Sequence, residues 1–328
     1  MDHLGRSNFS HHRRLVLGIL GRITFKFWQY GRPQHLRQSV SANSADDSAV
    51  TLFIPGYAGN RFSFGGMLQR FTAGGIANKS LVVMIDRHNH PHVTGELDAY
   101  RPMVQLIFAT PRVAVRQQAA GVLAVVQYLI AHEHVQTINL VAHSMGGVVL
   151  FQYLTTAAKL VNLPEVRKVV TIGAPFNDSE VGQNTYPIEN HPLTATGPTK
   201  TTPVYNYFLR TLQRLPNTIS YLNIAGNIGD AAQSDGAVAL NSALSLRFLL
   251  RPTRDQYQEF VVHGKNARHS RLHENYEVDR QIVQFLYPEA TKKRLLVKNR
   301  YATMMFVRHV CTFTWEEQKL SSIYHITD

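Results

Sequence analysis

The stretch "AHSMGG" surrounds Ser144 with small residues and stands between two apolar runs. A serine that attacks a substrate needs a turn so tight that bulky side chains two positions away from it would clash. Those two positions hold Ala142 and Gly146. The residues before the turn, 137–143, are typical of a buried strand, and residues 145–161 repeat apolar side chains with helical spacing. The spacing therefore predicts a strand–turn–helix junction that presents Ser144 as a nucleophile.

Such chemistry also requires N–H donors for the negative charge that develops on the substrate oxygen. The helix after the serine directs its first N–H groups at the reaction centre, so Met145 is one candidate donor. The turn "FIPGYAGN" after the first strand supplies the other: Gly56 lets the backbone approach, and the N–H of Tyr57 donates. Pro175 and Phe176 follow another strand at the same edge and are predicted to line the acyl pocket, with core packing as the alternative.

A serine nucleophile needs a histidine base and an orienting carboxylate, which follow the serine in the order acid, then histidine, on this kind of sheet. Asp235 is the preferred acid because an Asp-Gly pair turns the chain sharply, whereas Asp230 is the alternative nearer the strand end. Asp230 has a second possible role, which is to hold the loop together or bind a cation. His269 lies between the last predicted strand and helix and is the preferred base. His273 is its rival, although its place beside the helix start favours capping or packing.

Short β-branched runs alternate with longer helical patterns from residue 41 onward. The predicted strands are 49–56, 80–86, 103–109, 137–143, 166–173, 219–226 and 256–264, and the predicted helices are 115–134, 145–161 and 275–286. This alternation predicts an α/β fold with a mainly parallel, doubly wound sheet and helices on both sides.

The chain is predicted to have three regions. Residues 1–47 form a basic N-terminal arm or helix and a linker, residues 48–287 form the catalytic domain, and residues 288–328 form a C-terminal tail of unassigned role. Within the domain, residues 176–218 are too long for a simple connection and are rich in Pro, Thr and Asn. Such an excursion predicts a small cap over the site.

Several motifs occur in an order that resembles a known family. They are "FIPGYAGN", "NLVAHSMGG", "IGAPFND", "SDGAVALNSALSL" and "ARHSRLHENYEVDRQIVQFLY". Over about residues 48–287 they resemble α/β-hydrolases of Gram-positive bacteria regarded as cell-surface hydrolases of largely unknown function, and more distantly bacterial lipases. The resemblance implies the α/β-hydrolase fold, with Asp235 before Gly and His269 before Ser as the triad partners of the serine. Two departures bear on oxyanion geometry: Pro55 replaces the family's usual His, and Ala142 its usual Gly.

The net charge of +12 is concentrated at the two ends of the chain. Residues 1–40 hold seven Lys/Arg and one Asp, and residues 288–328 hold seven Lys/Arg and four acids. The middle has no basic stripe with interleaved aromatic residues, so a nucleic-acid partner is not predicted. The basic ends are predicted to be solvated, with weak contact to an anionic membrane or wall polymer as the alternative. We expect a monomer.

The N-terminal segment does not settle the location of the protein. Residues 13–28 begin with two arginines, as the charged start of a signal peptide would. The apolar run that follows, from Leu15 to Gly21, ends at Arg22. This run is too short for a membrane span and short for a signal core. The location therefore stays open between the cytoplasm and the membrane surface or cell envelope, and the weak anchor leaves cell-surface placement unsupported.

No metal or organic cofactor is predicted. The single cysteine, Cys311, excludes an internal disulfide framework and a cysteine metal site. His88, His90 and His92 are spaced two apart, but Pro91 favours an exposed, irregular loop over a metal site.

The predicted function is hydrolysis of small-molecule carboxylic esters by a serine esterase or lipase-like enzyme, through a Ser-His-Asp triad and an acyl-enzyme. Two alternatives remain open at this stage. One is an acyltransferase that uses the same triad, and the other is a non-catalytic protein that binds a lipid or cell-wall fragment on a hydrolase fold. The sequence does not fix the acyl length, the alcohol, or a preference for esters over thioesters and amides.

Overall fold

The structure, a computed structural model, describes residues 19–38, 40–179, 188–250 and 256–289. The chain divides into two units, 1–282 and 283–328. The second unit is described only over residues 283–289. The predicted C-terminal tail lies outside the described residues from position 290 onward, as does the start of the N-terminal arm.

Eight strands form one sheet in the first unit. They are β1 (Val50–Ile54), β2 (Asn78–Ile85), β3 (Pro91–Gly95), β4 (Pro102–Phe108), β5 (Thr137–His143), β6 (Glu165–Ile172), β9 (Ser220–Asn227) and β10 (Tyr257–His263). Their order across the sheet is β10-β9-β6-β5-β1-β4-β2-β3. Every neighbouring pair is parallel except β2 with β3. The mainly parallel sheet predicted from the sequence is confirmed.

The edge strand β3 was not predicted. Pro91 led us to expect an irregular loop, yet Pro91 begins β3 and is registered with Ile85 of β2. Proline is tolerated at an edge because the N–H that it lacks is not needed by a further strand.

Helices connect the strands and cover the sheet. They are α1 (19–30), α2 (Ala45–Ser48), α3 (Arg61–Ala73), α4 (Val115–Glu133), α5 (Met145–Ala157), α6 (Pro203–Thr211), α7 (Leu240–Leu244), α8 (Leu246–Leu249) and α9 (Tyr276–Leu286). Short 3₁₀ turns lie at Leu212–Arg214, Gly264–Ala267 and His269–Glu274. In the described parts of the chain, no helix is long and apolar enough to cross a bilayer.

Helix α3 is the main helix that the sequence did not predict. Two adjacent glycines in its middle weaken helical propensity. They are needed for close packing, because a Cβ on Gly65 would overlap the ring of Tyr30 and one on Gly66 would overlap the Glu274 carboxylate. The helix is started by a capping box in which Asn60 accepts from the N–H of its third residue and Ser63 accepts from the N–H of Asn60.

The core lies around the central strands. All residues of β1 and β4 are buried, which agrees with a parallel sheet covered on both faces. Helix α5 packs its buried residues, from Met145 to Leu154, beside α4. The core is therefore built around β1 and β5, with α5 packed against both strands.

The predicted cap region is partly described. Its described part contains a two-stranded pair, β7 (Leu193–Thr194) and β8 (Gly197–Pro198), followed by α6. Thr202 caps α6 by accepting from the N–H of Tyr205, and Phe208 is buried against the core. Residues 180–187 lie outside the described residues. The domain limits and the role of the cap remain predictions.

Candidate active site

Ser144 lies on a strained turn between β5 and α5. Its backbone has φ 57° and ψ −134°, a combination that residues with a side chain rarely adopt. The turn is held because the N–H of Ser144 donates to the carbonyl of Ile172 at 2.9 Å. A Cβ on Gly146 would lie only 2.5 Å from the Pro55 carbonyl oxygen, so glycine is required there. Ala142, which replaces the usual glycine, is fully buried at the end of β5.

His269 lies between the serine and a carboxylate. Its Nε2 is 2.8 Å from Ser144 Oγ, and its Nδ1 is 2.7 Å from Asp235 Oδ2. An ionised carboxylate only accepts hydrogen bonds, so Nδ1 carries the proton and Nε2 is left to accept from the hydroxyl. The three side chains, more than 30 residues apart in the chain, thus form one hydrogen-bonded line.

Asp235 is fixed by the turn that carries it. Its Oδ1 accepts from the N–H groups of Ala237 at 2.9 Å and Val238 at 2.7 Å, and its own N–H donates to the Val238 carbonyl at 3.0 Å. The side chain is only 1 % exposed. The backbone N–H of His269 donates to the carbonyl of Asp235 at 2.8 Å. The loops that carry these two residues are therefore joined by a backbone hydrogen bond as well as by the side-chain one.

The two rival residues have other contacts. Asp230 accepts from the N–H of Ser234 at 2.7 Å and from its hydroxyl at 2.6 Å, so it holds its own loop together. The ring of His273 packs edge-on against His143 at 4.8 Å between centroids, and its backbone carbonyl accepts from Arg70. Among the described residues, neither rival makes a hydrogen bond with Ser144 or His269.

The predicted oxyanion donors lie beside the serine. A Cβ on Gly56 would lie 2.8 Å from Ser144 Cβ, which shows how closely the loop after β1 approaches the turn. The N–H groups of Tyr57 and Met145 donate to no acceptor in the part of the chain that the structure describes. The loop is braced by Ala58, whose N–H donates to the Pro111 carbonyl at 3.0 Å.

Pro175 and Phe176 are buried rather than open to a cleft. The Phe176 ring packs edge-on against Phe151 at 5.4 Å and against Phe208 at 6.5 Å. This arrangement corresponds to the core-packing alternative for Phe176. The acyl-pocket role of Pro175 and Phe176 stays a prediction.

His143 was not among the predicted site residues, although it contacts His269. His143 is buried, and its Nε2 lies 3.1 Å from the backbone carbonyl of His269. A carbonyl only accepts, so Nε2 is the protonated nitrogen. Burial, together with the nearby His269 and His273, holds the pKa of His143 well below its usual range. A neutral imidazole therefore supports the loop that carries His269.

Arg70 of α3 braces the same loop and was also missed. Its guanidinium donates to Asp279 Oδ2 at 2.5 Å, to Glu274 Oε2 at 2.7 Å and to the His273 carbonyl at 2.9 Å. The contacts are separated by about 200 positions in the chain, so no local pattern signals them.

The exposed histidines after β2 are grouped around a carboxylate. His90 Nδ1 and His92 Nε2 lie 3.4 and 3.3 Å from Asp86 Oδ2. A search of the described residues found no set of three or more His, Cys, Asp or Glu side chains suited to a metal ion.

The parallel sheet and the strained serine turn after its central strand define the class of protein: an α/β hydrolase. More narrowly, residues 38–289 match the family described as "Alpha/beta hydrolase of unknown function (DUF915)", and the chain belongs to this family. The fold and family resemblance predicted from the sequence are thereby confirmed.

Two solved structures are similar to this chain. The gene lin2722 product of Listeria innocua shares 25% identity with a TM-score of 0.66, over 74% of this chain and 94% of that chain. A protein of Lactobacillus plantarum, whose structure carries the name "putative cell surface hydrolase", shares 20% identity with a TM-score of 0.57, over 74% of this chain and 92% of that chain. A search of curated proteins found no match.

Proposed function

We propose that this α/β hydrolase cleaves carboxylic esters by a serine mechanism. The observation that carries the proposal is the bridging position of His269, whose two ring nitrogens lie 2.8 Å from Ser144 Oγ and 2.7 Å from Asp235 Oδ2. A nucleophile, a base within bonding reach and a third group that orients the base are the parts that acyl transfer requires.

Acylation follows from this arrangement. Ser144 Oγ attacks the acyl carbon while its proton moves to His269 Nε2, and the Asp235 carboxylate stabilises the imidazolium through the Nδ1–H bond. The negative charge on the substrate oxygen is received by the N–H groups of Tyr57 and Met145, which need no reorganisation to donate. The tetrahedral intermediate collapses, the bond to the leaving oxygen breaks, and His269 returns the proton to the departing alcohol.

Deacylation uses the same groups with water as the attacking species. His269 Nε2 takes a proton from the water as its oxygen attacks the acyl carbon, and the acyl–Oγ bond then breaks. The proton returns to Ser144, and the carboxylic acid leaves. An alcohol in place of water gives acyl transfer, so products formed with added alcohols distinguish a transferase from a hydrolase.

The first experiment separates an enzyme from a binding protein that kept the fold. A fluorophosphonate probe is expected to label the wild-type chain and the control Ser48→Ala, an exposed serine in α2, but not Ser144→Ala. Turnover of p-nitrophenyl esters of increasing chain length is expected to disappear in Ser144→Ala. An unlabelled wild-type protein, or labelling that persists in Ser144→Ala, contradicts the proposal.

The same assay tests the acid. Asp235→Asn is expected to lower kcat by about 10⁴-fold because the amide favours the wrong tautomer of His269. Asp230→Asn leaves the line of hydrogen bonds intact and serves as the matched control. An equal loss in both variants would indicate that the loop, rather than the Asp235 carboxylate, matters.

A further inference from the structure

Helix α1 projects its first ten described residues into solvent. Every residue from 19 to 28 is exposed, and six of them are large and apolar. Their exposed fractions run from 41 % for Phe27 to 60 % for Phe25. The other four are Ile19, Leu20, Ile23 and Trp28. Contiguous exposed apolar residues of this kind mark an interaction surface rather than ordinary scatter.

The side chains of α1 are segregated. Ile19, Ile23 and Phe27 recur four residues apart and therefore share one face of the helix. Phe25 and Trp28 stack with 6.1 Å between ring centroids on another side. Arg22 and Lys26 are also four apart, so they form a basic row between the two apolar groups.

The last turn of α1 is fixed to the body of the protein. Tyr30 is buried, and its carbonyl accepts from Lys79 Nζ at 2.6 Å. The rings of Phe27 and Tyr30 lie 5.7 and 5.6 Å from the ring of Phe62, in the first turn of α3. Helix α3 begins shortly after Tyr57, so α1 is held next to the loop proposed to bind the oxyanion.

The charged side chains of α1 and of the sequence on either side of it are basic. Arg32 lies with its guanidinium carbon 3.8 Å from the centroid of the Trp28 ring, and Arg37 follows. From residue 3 to residue 45 the sequence contains five more basic residues and no Asp or Glu. A hydrophobic partner that complements this surface must therefore carry negative charge, as an anionic bilayer surface does.

We propose that α1 is an interfacial helix that docks the protein on an anionic lipid bilayer. Its apolar side chains enter the boundary between headgroups and acyl chains, while Arg22, Lys26 and Arg32 contact the lipid phosphates. The family match begins at residue 38, so α1 lies outside the matched residues. Docking here brings the Tyr57 loop close to the lipid and does not depend on the chemistry proposed for Ser144.

The test uses the full chain with Trp315→Phe, which leaves Trp28 as the sole tryptophan. Vesicles of phosphatidylglycerol and phosphatidylcholine are expected to sediment the protein and to shift Trp28 emission to shorter wavelength. Ile19→Ser with Ile23→Ser is expected to weaken binding roughly ten-fold or more. Arg22→Gln with Lys26→Gln is expected to weaken binding to these vesicles roughly thirty-fold.

The control is Val161→Ser, which changes another highly exposed apolar residue outside α1. Its binding is expected to equal that of the parent. Any of three results overturns the proposal: no emission shift with anionic vesicles, equal binding by the parent and the α1 variants, or vesicle-free self-association that the Ile19/Ile23 variant loses. The last result would assign the surface to a second copy of the chain.

Discussion

At the residue scale, His143 links the strand that leads to Ser144 with the loop that carries His269. It ends β5, directly before Ser144, and its Nε2–H supports the carbonyl of His269. Because burial keeps the pKa of His143 well below its usual range, the ring adds no positive charge beside the imidazolium that His269 forms during the proposed reaction. His143 is therefore a positioning residue in our proposal.

His143→Ala is expected to lower kcat for ester hydrolysis by roughly ten- to hundred-fold with little change in KM, because a loosened His269 loop misplaces the base. His143→Gln keeps an N–H donor and is expected to recover part of the loss. Steady-state kinetics of the three proteins checks this. Equal kcat in wild type and His143→Ala would show that the bond to His269 has no positioning role.

Lys79 is the other residue with an unusual environment. It is fully buried, and its Nζ donates to the Tyr30 carbonyl. Burial, aided by the charge of Arg61, lowers the pKa of Lys79 from 10.5 to about 7. Between these pH values the unfolded chain binds a proton that the folded chain does not, so stability rises with pH in this window.

Lys79→Met is expected to remove this pH dependence. In the wild type the free energy of unfolding should rise from about pH 7 to about pH 9.5 with a slope of at most about 1.4 kcal/mol per pH unit. In Lys79→Met the part of this slope that comes from the Lys79 ammonium should be absent. Urea unfolding at several pH values measures both slopes, and parallel curves for the two proteins would contradict the assignment.

At the element scale, Arg70 joins α3 to the loop that carries His269 and His273. Its guanidinium is mostly buried and bonds to both Glu274 and Asp279. Removing it leaves Asp279 buried without its partner, which is costly. We therefore expect the brace to contribute both to stability and to the position of His269.

Arg70→Met is expected to destabilise the protein by about 3 kcal/mol and to lower kcat. Arg70→Lys retains the positive charge but cannot donate several hydrogen bonds from one planar group. Its stability and kcat are therefore expected to lie between those of Arg70→Met and the wild type. Urea unfolding and ester kinetics measured together check this. Normal stability in Arg70→Met would refute the brace.

The elements that the sequence predicted are those with a local signal. Seven strands were found from β-branched runs between turns, and the serine turn was found from the small residues around it. Asp235 was preferred over Asp230 on turn chemistry, and Asp235 is the residue in contact with His269. Each of these features depends on a few neighbouring residues.

The missed features depend on contacts that are distant in the chain. Helix α3 was not predicted because its two glycines suggest a loop. Their reason is the close packing of Tyr30 and Glu274 against them, which only the folded structure shows. His143 and His269 are 126 positions apart, so nothing local marks their bond. Tertiary contacts decided each of these cases.

At the scale of the whole molecule, α1 is linked to the serine turn through α3 and the loop before it. Helix α1 contacts the first turn of α3 through Phe62, and α3 follows the loop that approaches Ser144. Residues 56–62 thus connect the two regions, and only the serine turn lies within the family match.

The order of the strands has a consequence for synthesis. Ser144 follows β5 near the middle of the chain, but His269 comes only after β10, the last strand among the described residues, which pairs with β9 at the edge of the sheet. On the proposed mechanism, a ribosome-bound chain that already displays its serine has no base to activate it. The protein stays inert as it emerges and gains reactivity only when its final strand joins the sheet.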